Sequence, residues 1–285
     1  MPGTAPGLRT DSATRLAELE RQRPEWQTWL TLLGEAERAL RDPGWHAPLN
    51  DREFEGVLAV TSDRAPLLHG MTLAIDADRV EALVRRLASK ASPGESYRPS
   101  SVDATRLVVA ALRQDLEAIG ALASAAGIDR GVLTSIAHLA AFPLLQSCGR
   151  ELENRIPRSW KHGYCPICAA WPILAERRGL DRTRRLRCGR CGGEWQAQWL
   201  CCIYCGEREH EHLASLVPDE QGERLNVETC SSCRGYLKSV ATLQRIPPFE
   251  LLLQDLETVE LDLVALDRGY GRPEESGFPL EIRLR

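Results

Sequence analysis

The chain has 285 residues, 43% hydrophobic and 27% charged, with a net charge of −4. That profile excludes a disordered or low-complexity chain, and the length suffices to bury a core without covalent staples. The acidic balance counts against a general nucleic-acid binder, but the charge is unevenly spread. Residues 1–150 carry 17 basic and 19 acidic side chains, 151–200 carry 10 and 5, and 201–285 carry 9 and 16. A basic segment followed by an acidic one points to contact between the two, or with a partner. Residues 1–20 lack the apolar stretch of a secretory signal, and no run approaches the ~18 apolar residues of a membrane span. The expected address is the cytoplasm.

The first 150 residues read as helices. Pro24 sits at a helix start, where its missing N–H costs nothing, and Trp26, Trp29, Leu30, Leu33 and Leu40 follow on one face. Asp42-Pro43-Gly44 ends that helix. Asp76 can cap a second, with Val80, Leu83, Val84 and Leu87 inward and a stop at Ser92-Pro93-Gly94. Ser101 or Asp103 can cap a third, which buries Leu107 to Ile119 and runs to a C-cap at Gly127. Asp129 starts a fourth, the most apolar stretch of the chain, which Pro143 is expected to kink or end. Strand patterns are weak here, so a helical bundle is the natural architecture. Near Arg155 short segments, turn residues and cysteines take over, and Glu194-Trp195-Gln196-Ala197-Gln198-Trp199 alternates as a strand does. From Pro247 to Asp267 the pattern is helical again.

Eight of the ten cysteines form four Cys-x-x-Cys pairs: Cys165/Cys168, Cys188/Cys191, Cys202/Cys205 and Cys230/Cys233. In the cytosol thiols stay reduced, so patterned cysteines point to metal or redox chemistry before disulfides. Two thiolates separated by two residues meet one ion because the loop between them folds into a tight turn. A small residue after the second cysteine helps that turn reverse. Gly192 and Gly206 stand there in the middle pairs, Ala169 and Arg234 in the outer ones. Tetrahedral all-sulfur ligation suits zinc, or iron in the rubredoxin manner, and four cysteines can also hold an iron–sulfur cluster. A thioredoxin-like motif expects one pair at a strand-to-helix turn of a βαβ unit, and no such pattern is present.

Each site needs two pairs, so the chain has ligands for two ions. The loops between successive pairs are 19, 10 and 24 residues long. Sequential pairing makes one site from Cys165, Cys168, Cys188 and Cys191 and another from Cys202, Cys205, Cys230 and Cys233. It is favoured because the two longer loops each suit a β-hairpin that returns to the metal. Joining the two middle pairs across the short loop, or interleaving the pairs, is the alternative.

Of the other candidates, Cys148 lies on an apolar helix face and reads as core. Cys201, next to a ligand, reads as a small core residue with a reactive thiol as the alternative. His210 and His212 flank Glu211 in what reads as a solvated loop, and His162 can support a ligand from behind. The run Arg177, Arg178, Arg182, Arg184, Arg185, Arg187 and Arg190 can present a nucleic-acid surface, a solvated face or a contact with the acidic segment. No Ser/His/Asp set, phosphate loop or placed carboxylate pair stands out, so no catalytic residue is assigned and the chain is not read as an enzyme.

The motifs stand in a distinctive order. Tyr164-Cys165-Pro166-Ile167-Cys168 comes first, then Leu186-Arg187-Cys188-Gly189-Arg190-Cys191-Gly192-Gly193-Glu194-Trp195. Cys202-Ile203-Tyr204-Cys205 follows, then Glu228-Thr229-Cys230-Ser231-Ser232-Cys233-Arg234-Gly235-Tyr236-Leu237-Lys238. This order, behind a helical domain and ahead of a terminal helix, resembles the formate dehydrogenase accessory protein FdhE family. Glu194-Trp195 and Tyr236-Leu237-Lys238 make the resemblance specific, because metal binding alone does not require them. Ala169 and Cys201 depart from the family pattern, and the tail after Gly271 does not follow it. The resemblance implies a cytoplasmic factor that assists maturation of respiratory formate dehydrogenase by binding its catalytic subunit, with rubredoxin-like iron sites. A rubredoxin-like redox protein and a nucleic-acid-binding zinc ribbon are the other readings.

The expected fold is α+β: an N-terminal all-α domain over 1–155, two rubredoxin-like or zinc-ribbon modules over 156–200 and 201–245, and a C-terminal helix and tail over 246–285.

Overall fold

The computed structural model describes residues 12–46, 49, 65–91, 102–217 and 224–285. Helix α1 (Ser12–Gln22) leads through a 3₁₀ turn at Pro24–Trp26 into α2 (Gln27–Arg41). Leu30 and Leu33 of α2 are buried, whereas Trp29 leaves the expected stripe and is 48% exposed. Asp42 ends α2 and accepts from the Gly44 N–H at 2.9 Å. Asp76 accepts from the Arg79 N–H at 3.0 Å and starts α3 (Ala77–Ala91). The expected stop at Ser92-Pro93-Gly94 and the expected cap Ser101 lie outside the described residues.

The third expected helix is two. Helix α4 (Ala104–Arg113) is capped by Asp103 and ends at Gln114, which takes a left-handed φ of 60°. Asp115 then accepts from the Ala118 N–H and starts α5 (Leu116–Ala126), which Gly127 closes. The apolar stripe continues across the break, so periodicity alone reads one helix. The break aims Gln114 at the first ribbon, where its Nε2 donates to the Cys168 carbonyl at 3.1 Å.

Helix α6 (Arg130–Leu152), capped by Asp129, continues past Pro143 and does not end there. An interior proline costs about 3 kcal/mol. Here α2, α3, α4 and α5 all pack on α6, and burial around it outweighs that cost. By length and composition Arg130–Arg155 is long and apolar enough to cross a membrane, which corrects the expectation that no run comes close. Its apolar window is 67% buried in the fold, the position of a bundle's central helix.

The second half forms a six-stranded sheet. Strands β2 (Leu174–Arg178), β3 (Thr183–Arg187), β4 (Glu194–Gln196), β5 (Leu213–Leu216), β6 (Leu225–Cys230) and β7 (Tyr236–Thr242) lie in the order β4-β3-β2-β7-β6-β5. Pairing is antiparallel within each ribbon. Between ribbons β2 and β7 run parallel, with Ala175 opposite Ser239. The two ribbons therefore lie side by side in one orientation, and their cysteine turns fall at the same end of the sheet. The segment expected as one helix over Pro247–Asp267 is α7 (Pro248–Glu257) and α8 (Val259–Asp267). They part at Thr258, whose hydroxyl donates back to the Gln254 carbonyl at 2.7 Å.

The first half is not wholly helical. Strand β1 (Thr72–Leu73) pairs in parallel with β8 (Arg283–Leu284) from the far end of the chain. The Arg113 guanidinium donates to the Ile282 carbonyl at 2.7 Å, and Leu280 and Ile282 are buried. The same core that holds Leu107, Leu112 and Leu133 of the bundle continues into Ile167, Leu186 and Trp195 of the first ribbon. Deleting residues 280–285 removes two buried aliphatic side chains, worth about 1.5–3 kcal/mol each. The truncated chain is expected to unfold at clearly lower urea concentration, and an unmoved midpoint contradicts the clamp.

Candidate metal centres

Four tight turns place the eight sulfurs. In three of the turns the residue after the second cysteine closes back by a backbone hydrogen bond: the Ala169 N–H donates to the Cys165 carbonyl at 3.0 Å, the Gly192 N–H to that of Cys188 at 3.1 Å and the Gly206 N–H to that of Cys202 at 3.0 Å; in the fourth the Cys230 N–H donates to the Gly235 carbonyl at 3.0 Å. That residue is left-handed in all four: φ is 65° at Ala169, 74° at Gly192, 77° at Gly206 and 59° at Arg234. Glycine adopts this freely, and other residues pay roughly 1–2 kcal/mol. Arg234 is held there by donating to the Arg268 carbonyl at 2.6 Å and stacking over the Tyr270 ring at 4.2 Å. Ala169 is fully buried, and its carbonyl accepts from the Gly277 N–H.

The turns bring Cys165, Cys168, Cys188 and Cys191 together, and Cys202, Cys205, Cys230 and Cys233 together, as sequential pairing expects. Within each group all sulfurs lie within 4.8 Å of one another. The Cys165–Cys191 and Cys168–Cys188 sulfurs are both 3.5 Å apart, Cys202–Cys233 3.6 Å and Cys205–Cys230 3.8 Å. A tetrahedral ion about 2.3 Å from each thiolate spaces the sulfurs by about 3.8 Å. Both donor sets therefore fit such an ion.

The two groups differ in their surroundings. All four cysteines of the first are buried. Burial pushes the Cys165 and Cys191 thiols well up. At Cys188 burial acts the same way, but hydrogen bonds from Cys165, Cys168 and Cys191 outweigh it and hold that thiol well down. Four thiolates in so dry a place need a cation to neutralise them. The wall is helical. A side chain on Gly149 of α6 would put its Cβ 1.9 Å from the Cys191 carbonyl oxygen, and Gln146 Nε2 donates to the Arg190 carbonyl at 3.0 Å. In the second group Cys202 and Cys230 are buried but Cys205 and Cys233 are exposed. Burial raises the Cys202 thiol and takes Cys233 to about 11.

The residues that follow the cysteines form ion clamps. Glu194 accepts from Arg178 at 2.7 Å and lies 3.4 Å from Arg245, while Trp195 Nε1 donates to the His162 carbonyl at 3.2 Å. Fully buried Glu176 pairs with Arg187 and Arg178 and accepts from the Ile246 N–H at 3.2 Å. On the second ribbon Tyr236 donates to Asp262 at 2.7 Å, and Lys238, buried, reaches Asp255 and Asp262 at 2.6 Å each. Arg272 joins both carboxylates. No motif marks Glu176, Asp255 or Asp262. The available signal was a lysine or glutamate inside a strand pattern, which needs a buried partner of opposite charge.

Most of the arginine run turns inward, whereas Arg182 stays exposed and Arg185 partly so. Arg184 donates to the Gln198 carbonyl at 2.8 Å and pairs with Glu228, a contact between the basic and acidic segments. Arg190 donates to the Ala111 carbonyl and Arg177 to that of Arg224. Cys148 is core, its thiol pushed up to about 12 by burial. Cys201 lies beside the second group, 3.7 Å from the Cys202 carbonyl, and is not one of its four. His210 and His212 sit in an exposed 3₁₀ turn, with His212 Nδ1 3.0 Å from the Ser231 hydroxyl. The His162 ring stacks on Tyr164, and its carbonyl accepts from the Trp195 indole.

Fold and geometry together define a class: a helical bundle sharing its core with tandem four-cysteine ribbons. Residues 200–278 match the family model for the FdhE C-terminal domain. The chain is 36% identical over 111 residues to a protein FdhE homolog of Stutzerimonas stutzeri (38% of this chain, 35% of that one). It is 28% identical over 137 residues to the Aquifex aeolicus protein FdhE homolog, 47% of each. The matched stretches thus span about a third to a half of these relatives. The crystal structure of the FdhE protein from Pseudomonas aeruginosa shares the fold, with a TM-score of 0.60 over 92% of both chains at 23% identity. These matches bear out the resemblance to the FdhE family.

The clamps set an acid limit. Burial opposes the charge on Glu194 and Asp262, but Arg178 at the first and Arg272 with Lys238 at the second outweigh it and hold both carboxyls below their usual range. Their contribution to stability is complete above about pH 4, the unfolded carboxylate range, and is lost as pH falls through the lower folded values. Lys238→Met leaves two carboxylates on one guanidinium, at a cost of about 3 kcal/mol, and flattens the acid transition. Thermal melts of both proteins from neutral to acid pH check this.

Proposed function

We propose that the protein is a cytoplasmic accessory factor, not an enzyme, which assists maturation of respiratory formate dehydrogenase by binding its catalytic subunit. Two ions, iron or zinc, hold its ribbons in shape. Cys165, Cys168, Cys188 and Cys191 ligate one, and Cys202, Cys205, Cys230 and Cys233 the other. The observation that carries the reading is the pair of four-sulfur groups built into one sheet and docked on a helical core. The similarity to FdhE proteins supports the choice of partner. The working units are 1–155, 156–200, 201–245 and 246–285. The inward turn of Arg184 and Arg190 weakens the support for a nucleic-acid surface. When bound, each ion supplies the positive charge that four converging thiolates require, and binding it is coupled to folding of its ribbon.

Full-length protein is expected to retain the formate dehydrogenase catalytic subunit in a pull-down. Failure to retain it, with normal formate dehydrogenase activity in a strain lacking the protein, would sink the reading. Cys168→Ser removes a ligand inside the shared core and is expected to lose one ion, part of the helical signal and partner binding together. Elemental analysis and circular dichroism on the variant report the first two.

A further inference from the structure

The two four-cysteine groups share turn geometry but not access. The first is enclosed by α4, α6 and the first ribbon, with no exposed sulfur-bearing residue. The second is open to solvent. Cys205 and Cys233, one from each turn, face solvent. Cys202 and Cys230, the buried members, line a 260 Å³ cleft, which the exposed Trp199 and Leu200 and the free thiol of Cys201 line as well. Each exposed cysteine also has a buried partner from the other turn: Cys233 with Cys202 at 3.6 Å, Cys205 with Cys230 at 3.8 Å.

We propose that the second centre is a redox-gated, exchangeable metal site, while the first is a permanent structural one; this rests on reading the eight cysteines as ligands. Peroxide is the reactant that the geometry admits. The thiolate of Cys205 or Cys233 attacks one peroxide oxygen, the O–O bond breaks, and hydroxide leaves a sulfenic acid behind. The buried partner thiolate then attacks that sulfur and displaces a second hydroxide, forming Cys205–Cys230 or Cys202–Cys233. Two thiolates give up two electrons and one peroxide takes them, ending as two waters once the hydroxides are protonated. The ion loses two of four ligands and leaves. A dithiol reductant reverses the disulfide and lets the site reload. At the first centre no sulfur is exposed to begin the sequence.

The test uses full-length, metal-loaded protein, hydrogen peroxide and the colorimetric chelator 4-(2-pyridylazo)resorcinol. One ion per chain is expected to appear at least about tenfold faster than the other, as thiol reactivity follows access. Peptide mapping after the fast phase should find a disulfide within Cys202, Cys205, Cys230 and Cys233, with Cys165, Cys168, Cys188 and Cys191 still reduced. Dithiothreitol plus metal should restore the starting content. Release of both ions at one rate, oxidation of the first group before the second, or a chain that binds no metal overturns the proposal. Capture of the formate dehydrogenase catalytic subunit by untreated protein is scored in parallel. Biphasic release without capture sinks the accessory reading alone, and capture with single-phase release sinks this inference alone.

Discussion

The close approach of α6 to the turn that carries Cys191 fixes much of the remaining arrangement. Gly149 has no side chain, and none fits, because the Cys191 carbonyl occupies that space. Gln146, three residues earlier on the same helix, holds the neighbouring Arg190 carbonyl. Gln114 holds the Cys168 carbonyl from the break between α4 and α5. The first four-cysteine group thereby becomes part of the bundle's core, and the face of β2, β3 and β4 that bears Ala175, Leu186 and Trp195 is covered by that core. The second ribbon continues the sheet through β2 and β7. It reaches past the bundle, which leaves one group dry and the other at the surface.

What covers the opposite face of the sheet is held by charge. Glu176 and Glu194 meet Arg178, Arg187 and Arg245 under the start of α7, and Lys238 and Arg272 meet Asp255 and Asp262 under α7 and α8. Buried ion pairs of this kind give back in Coulomb attraction much of what desolvation costs, so their net stabilisation is small. Their effect is positional. Swapping in apolar residues would leave α7 and α8 free to slide on the sheet, whereas a lysine between two fixed carboxylates admits one register. This explains why Glu194-Trp195 and Tyr236-Leu237-Lys238, which a metal does not need, accompany the cysteines.

Features governed by local chemistry were legible in the sequence. Cys-x-x-Cys spacing is set by the turn that ligation requires, and loops of 19 and 24 residues match the β2–β3 and β5–β6 hairpins observed. Asp76, Asp103 and Asp129 cap helices because a side-chain oxygen within reach of a free N–H does so wherever it occurs. Features governed by distant partners were not legible. Nothing near Gln114 announces a left-handed residue, since its reward is a carbonyl 54 positions away. Pro143 stays helical because four helices surround it. The β2–β7 pairing joins residues more than 60 positions apart, and the two-residue strands β1 and β8 carry no periodicity at all.

The tail after Gly271 shows the same point most fully: the expected departure from the family pattern is corrected there, since the family match runs on to residue 278, and the segment ties every part together. Just before it, Arg268 and Gly269 hold Arg234 in its left-handed turn at the second group. Gly271 bonds to Arg234 and Tyr236 on either side of Gly235. Glu275 accepts from the Trp171 indole and the Gly277 N–H reaches the Ala169 carbonyl, in the left-handed turn at the first group. Leu280, Ile282 and β8 then end in the helical half beside β1. Glycine closes the two inner turns without help. The two outer turns, where alanine and arginine stand instead, are the ones this segment touches. A strained residue persists where surrounding structure overdetermines it, and here one C-terminal segment supplies that support to both ribbons.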